Sequence, residues 1–168
     1  IMNDAHLHML VNHFPIIGLF FGFLILLFGI IKDNATLKAT AYIIFIFCMI
    51  MGKVSMMTGD KAEHAVEDLT GFSHDYIHEH EEAAELFMKP LYILGLVSIF
   101  GLFSVVKKRV NQKIVSICVL LIAAICLFLS KGVGTTGGEV RHTEIRENAT
   151  FSNTSEAKDA IENADDKD

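Results

Sequence analysis

The sequence predicts an all-α protein, a four-helix transmembrane bundle whose helix ends protrude on the periplasmic side. Two observations carry that prediction. Apolar residues make up 52% of the 168 positions, a high fraction for a soluble chain of this size. They also gather into four runs, Phe14 to Ile31, Leu37 to Met57, Pro90 to Val106 and Ile114 to Ser130, each long enough at ~1.5 Å per residue to cross a hydrocarbon layer of ~30 Å. A soluble bundle would show an apolar stripe opposite a charged face. The stretch Phe20-Phe21-Gly22-Phe23-Leu24-Ile25-Leu26-Leu27-Phe28 has no polar face.

The first span is expected to stay in the protein, because Asn3-Asp4-Ala5-His6 before it lacks the positive charge of a cleavable signal peptide and no small-residue cleavage site follows. The second follows a short connection with Lys32 and Lys38. The third differs: no breaker stands between the N-cap candidate Ser73 and Pro90, so a helix is predicted from His74 to about Val106, ~50 Å long. Its first four turns should rise above the lipid. There Ile77, His80, Ala84, Phe87 and Leu91 recur at heptad spacing, which puts His80 in the buried stripe. The fourth span ends in Gly132, Gly134, Gly137 and Gly138, where a helix break is expected. Residues 1–147 form the membrane domain, and residues 148–168, polar and acidic, read as a disordered periplasmic tail.

Charge orients the spans. Lys32, Lys38, Lys107, Lys108, Arg109 and Lys113 flank the odd connections, whereas Asp60, Glu63, Glu67, Asp68, Asp75, Glu79, Glu81 and Glu82 crowd the opposite face. The positive-inside rule places the basic connections in the cytoplasm of a bacterium and both termini in the periplasm, in the inner membrane. The net charge of −6 and the absence of a basic-aromatic array argue against nucleic acid. Cys48, Cys118 and Cys126 lie within spans without Cys-x-x-Cys-His or zinc spacing and read as small apolar fillers.

All eight histidines fall on the acidic face: His6, His8 and His13 before span one, His64 after span two, His74, His78 and His80 before span three, and His142 after span four. Counted from the cytoplasmic ends, His13 lies ~27 Å up, His8 ~35 Å and His80 ~39 Å. Helices one, three and four can thus present His8 or His13, His80 and His142 to a common space. His74 and His78 share a polar face with Glu81, Glu82 and Glu85 and read as surface residues.

Two ligand chemistries suit such a layer. Haem b takes two neutral imidazoles from facing helices, small residues where the porphyrin presses on backbone, and cations for its propionates, for which Lys89, Lys131 and Arg141 are candidates, with Lys53 lower down. A histidine-carboxylate site for iron, zinc, copper or manganese is the alternative. Its candidates are His8, His13, His64, His80 and His142 with Glu139, since Glu139 and His142 have the i, i+3 spacing of one helical face. Met9, Met56 and Met57 offer thioethers or plain packing. Neither a nucleophile elbow, a phosphate-binding glycine loop nor His-Glu-x-x-His occurs. The chain therefore reads as an electron carrier or complex subunit more than a stand-alone enzyme. A structural accessory subunit of a respiratory complex is the third reading.

The segment Leu7-His8-Met9-Leu10-Val11-Asn12-His13-Phe14-Pro15-Ile16-Ile17-Gly18 resembles the opening of bacterial membrane proteins grouped as domain-of-unknown-function family 2231 (DUF2231). Thr58-Gly59-Asp60-Lys61-Ala62-Glu63-His64, His80-Glu81-Glu82-Ala83-Ala84 and Gly137-Gly138-Glu139-Val140-Arg141-His142 are similar to further blocks of it, so the likeness runs from about residue 7 to 145. It implies a four-helix bundle akin to membrane cytochromes of the b type. It brings no ligand assignment: His8, His13, His80 and His142 rest on their placement alone.

Overall fold

The computed structural model describes residues 3–66, 73–107 and 111–146. The predicted tail, Glu67, Asp68, Lys108 and Arg109 lie outside them. The described residues fold into helices α1 (Asp4–Val11), α2 (His13–Ile31), α3 (Ala35–Val66), α4 (His74–Lys107) and α5 (Gln112–Arg141), followed by a 3-10 turn at Thr143–Ile145. Four helical stretches, with α1 and α2 counted as one, are long and apolar enough to cross a membrane. The all-helical expectation holds, and the predicted third helix from His74 is present at full length.

Pro15 explains why the first stretch is two helices. A proline ring clashes with the carbonyl four residues earlier, here that of Val11, and supplies no N–H to it. The chain turns at Asn12 immediately beyond Val11. Three helices start on asparagine caps, whose side-chain oxygens take up amides that have no partner within the first turn: Asn3 accepts from His6 N at 2.9 Å, Asn34 from Leu37 N at 3.0 Å and Asn111 from Lys113 N at 3.1 Å. The α2–α3 connection closes as a Schellman turn, with Asn34 N bonded to Gly29 O and Asp33 N to Ile30 O. It places Asp33 at φ 45°, a left-handed conformation that aspartate adopts more readily than most residues.

The helices alternate in direction around a ring, α2 on α3, α3 on α4, α4 on α5 and α5 back on α2, with α1 lying against α3. Leu19, Leu26, Phe45, Leu91, Leu94 and Val119 fill the centre. Lipid tails are as apolar as these side chains, so association must come from close packing and interhelical hydrogen bonds. Small residues permit the close approach. A Cβ on Gly22 would stand 2.6 Å from Phe45 Cε1, and one on Gly101 would stand 2.8 Å from Tyr42 Cζ. Across the bundle the Tyr42 hydroxyl and Ser116 Oγ share a hydrogen bond of 2.8 Å. The outer surface is apolar, with Phe20, Phe28, Leu96 and, at 79% exposure, Phe128 facing outward, as lipid contact requires.

Two expectations are corrected. The terminal glycines do not break α5, which continues to Arg141; once neighbouring turns are satisfied, glycine costs a helix only about 1 kcal/mol per residue. Lys38 is not a loop residue. It lies in α3 at 2% side-chain exposure, its Nζ donating to Asp33 Oδ1 at 2.6 Å.

Candidate functional site

Helix alternation brings all eight histidines to one end of the bundle, as the spans predicted. At that end the helices enclose a cavity of about 360 Å³, within the size range of small-molecule and cofactor sites. Its wall is mostly apolar, with Ile16, Met56, Phe87 and Val133 among the contributors, and it is shaped by Gly52, Gly59 and Gly137. Two imidazoles line it, His8 from α1 and His80 from α4, close enough to act on one another electrostatically.

Hydrogen bonding fixes how each ring presents itself. His8 Nδ1 lies 3.1 Å from the Ser55 carbonyl and 3.2 Å from Thr58 Oγ1. A carbonyl only accepts, so Nδ1 carries the proton. Thr58 directs its own hydroxyl hydrogen to Val54 O and Ser55 O, both at 3.0 Å, and offers the ring a lone pair. His80 is placed alike: Nδ1 lies 3.1 Å from Thr136 Oγ1, and the Thr136 hydroxyl points back to Gly132 O at 3.0 Å and Val133 O at 3.4 Å. A proton on Nδ1, required by the Ser55 carbonyl for His8 and matched for His80 by a Thr136 hydroxyl already directed at Gly132 O, leaves the Nε2 lone pair available. This is the state in which an imidazole ligates a metal, the other nitrogen held by an outer partner.

Each ring also rests on a glycine. An added Cβ would meet His8 Cε1 at 3.3 Å on Gly59 and His80 Cε1 at 2.9 Å on Gly137. Asn12, at the break between α1 and α2, lines the cavity too, and its buried Oδ1 has no protein partner. A buried polar atom of that kind calls for a bound group or water.

The remaining candidates divide. His13 is exposed, with Nδ1 3.3 Å from Met9 O, and does not line the cavity. Neither does His142, which is exposed and lies 2.8 Å from Glu144 Oε1. The expected i, i+3 pairing of Glu139 with His142 does not form, because α5 ends at Arg141 and His142 has left the helix at φ −91°, ψ 91°. His64 is exposed near the end of α3. Of the predicted cations, Arg141 lines the cavity, Lys89 faces a neighbouring groove with Lys53, Asp60 and Tyr92, and Lys131 is exposed. Among the described residues no three histidine, cysteine, aspartate or glutamate side chains converge in metal-ligating geometry.

Sequence reasoning missed Ser55, Thr58, Thr136 and Asn12 as parts of the site. The signal for the threonines was present, as a Thr-Gly pair near the end of both α3 and α5. Cavity charge is lopsided, with Asp60, Glu63 and Glu81 on the α3 and α4 side and Arg141 on α5. Searches against family models, curated proteins and solved structures find no match to this chain.

Proposed function

We propose that this chain is a membrane electron-transfer subunit that holds one haem b between His8 and His80 at the outward face of a bacterial inner membrane. The observation that carries the reading is the pair of imidazoles lining one apolar cavity, each held at Nδ1 by the protein, which directs Nε2 to a ligand. The donor set fits the group: two neutral imidazoles, glycines where a planar macrocycle would press on backbone, and Arg141 as a cation for a propionate. Bound there, the iron would take up and release single electrons. The protein's own residues hold the ligating nitrogens, keep bulk water from an apolar wall and bias one side of the rim toward anions.

Orientation follows from the basic connections on the opposite face. Electrons would pass between a quinol or other membrane partner and a periplasmic carrier, or within a larger respiratory complex. The wall, rather than any catalytic side chain, sets the chemistry, which is why a carrier or complex subunit is preferred over a stand-alone enzyme.

The test is a reduced-minus-oxidised absorbance spectrum of the purified protein, with haem extraction. An α-band is expected in the native protein, lost or strongly reduced in His8→Ala and His80→Ala and retained in His13→Ala and His142→Ala. A protein without haem would overturn the reading. Iron, zinc, copper or manganese found without a haem spectrum would favour the metal-site alternative, and copurification with a larger complex with neither would favour an accessory role.

A further inference from the structure

The two halves of the chain share a pattern that neither composition nor hydropathy reveals. Cys48, Lys53, Thr58, Gly59 and His64 of α3 recur as Cys126, Lys131, Thr136, Gly137 and His142 of α5, every pair seventy-eight residues apart. The first helices correspond at a spacing of seventy-two: His8 matches His80, and buried Leu19, Gly22 and Leu26 match buried Leu91, Leu94 and Ser98. Contacts obey the same exchange. The α2–α3 packing is mirrored by α4–α5, and α3–α4 has a looser counterpart in α5–α2. These are the relations expected of two parallel repeats about an axis along the membrane normal, an arrangement in which binding sites form where the repeats meet.

Hydrogen bonds obey it as well. His8 sits on Thr58 and on the carbonyl three residues before it, Ser55. His80 sits on Thr136, whose hydroxyl reaches the carbonyl three residues before it, Val133, as that of Thr58 reaches Ser55. Each imidazole lies over the glycine that follows its threonine. In both cases the histidine belongs to the first helix of a hairpin and its seat to the second helix of the same hairpin.

We propose that the chain is two copies of one helical hairpin and that Thr58-Gly59 and Thr136-Gly137 are positioning pairs, each seating the imidazole of its own copy so that two equivalent Nε2 atoms reach the shared cavity. The occupant's identity rests on the haem reading; the seats do not. The symmetry is broken at the rim, where Glu63 of α3 is replaced by Arg141 of α5. A ligand carrying carboxylates would therefore enter in one orientation, acidic groups toward Arg141.

The first test uses the native chain in detergent without added ligand, with histidine nitrogens labelled for NMR. Both His8 and His80 should show the Nδ1–H tautomer. Thr58→Val should speed hydrogen exchange at the His8 ring about fivefold, the loss of a hydrogen bond of ordinary strength, and leave His80 alone. Thr136→Val should do the converse, and serine at either position should restore the native rate. Gly137→Ala should displace its ring more than Gly59→Ala, since its Cβ would come closer to the imidazole. In haem-loaded protein the reduction potential should rise in each valine variant and further in the double variant, because a less strongly hydrogen-bonded imidazole donates less to ferric iron. Exchange rates unchanged in both valine variants, or a variant that perturbs only the other copy's ring, would overturn the proposal. The tautomer and exchange measurements need no haem, so a failure of the seats and a failure of the haem reading give different results.

Discussion

The two ends of the bundle solve opposite problems. At the lysine-bearing end the interior is filled and most of its polar groups are paired, Lys38 with Asp33, Tyr42 with Ser116 and Ser104 with the Gly101 carbonyl at 2.8 Å, Ser98 Oγ further along α4 being the exception. Phe45 and Tyr42 press against glycines that leave them no slack. At the histidine-bearing end the same helices, extended beyond their apolar runs, leave a space of about 360 Å³ and an unpaired Asn12 oxygen. One end is packed side chain against side chain, and the other leaves space between its helices.

Three substitutions sharpen that contrast. The largest effect is expected from filling the hollow end. Ala84→Phe, on the cavity wall, should reduce haem occupancy at least about tenfold while raising the stability of the ligand-free protein by roughly 0.5–2 kcal/mol, the usual gain from cavity filling. Occupancy by extraction and unfolding in mixed detergent read the two quantities, and unchanged occupancy would mean that the cavity is not the site.

At the packed end the same kind of change should have the opposite sign. Gly22→Ala forces Phe45 to move, because its Cβ would stand 2.6 Å from the ring, and should cost about 1–3 kcal/mol of stability with the haem spectrum unaltered. A neutral outcome would show that this end has slack after all.

The smallest effect concerns Asp33. The hydrogen bond from Lys38, followed by its charge, holds the Asp33 carboxyl below the usual carboxylate range. A group whose folded-state pKa is depressed contributes stability above its unfolded value, about 3.9, and loses it as pH falls through the folded value. Stability should therefore decline on acidification below about pH 4, and Asp33→Asn should flatten that decline. Asp33 is exposed, so the change is expected to be small. Equal acid profiles for both proteins would assign the decline to other carboxylates.

Much of the architecture was readable from hydropathy because span length and apolar continuity are local properties. The one-sided histidine layer was equally readable, since an alternating path across a bilayer converts sequence order into face. The length of the third helix followed from the absence of a breaker before Pro90, and His80 on its buried stripe followed from heptad spacing; Ile77, Phe87 and Leu91 are buried beside it. The site was read less well. Glycines at the end of α5 suggested a break, but tertiary contacts carry the helix on to Arg141. Height along the helices made His13 and His142 as eligible as His8, because height says nothing about which way a side chain points around the helix axis.

The all-helical class, the four apolar stretches and the gathering of the histidines at one end were legible in the chain, because a solvent that rejects unpaired backbone and charge leaves little choice. Which imidazoles share the cavity came from packing. Rotation of each helix about its own axis, set by the Pro15 break, the close glycine contacts and two threonine hydroxyls, turns His8 and His80 toward the same space and leaves His13 and His142 outside it.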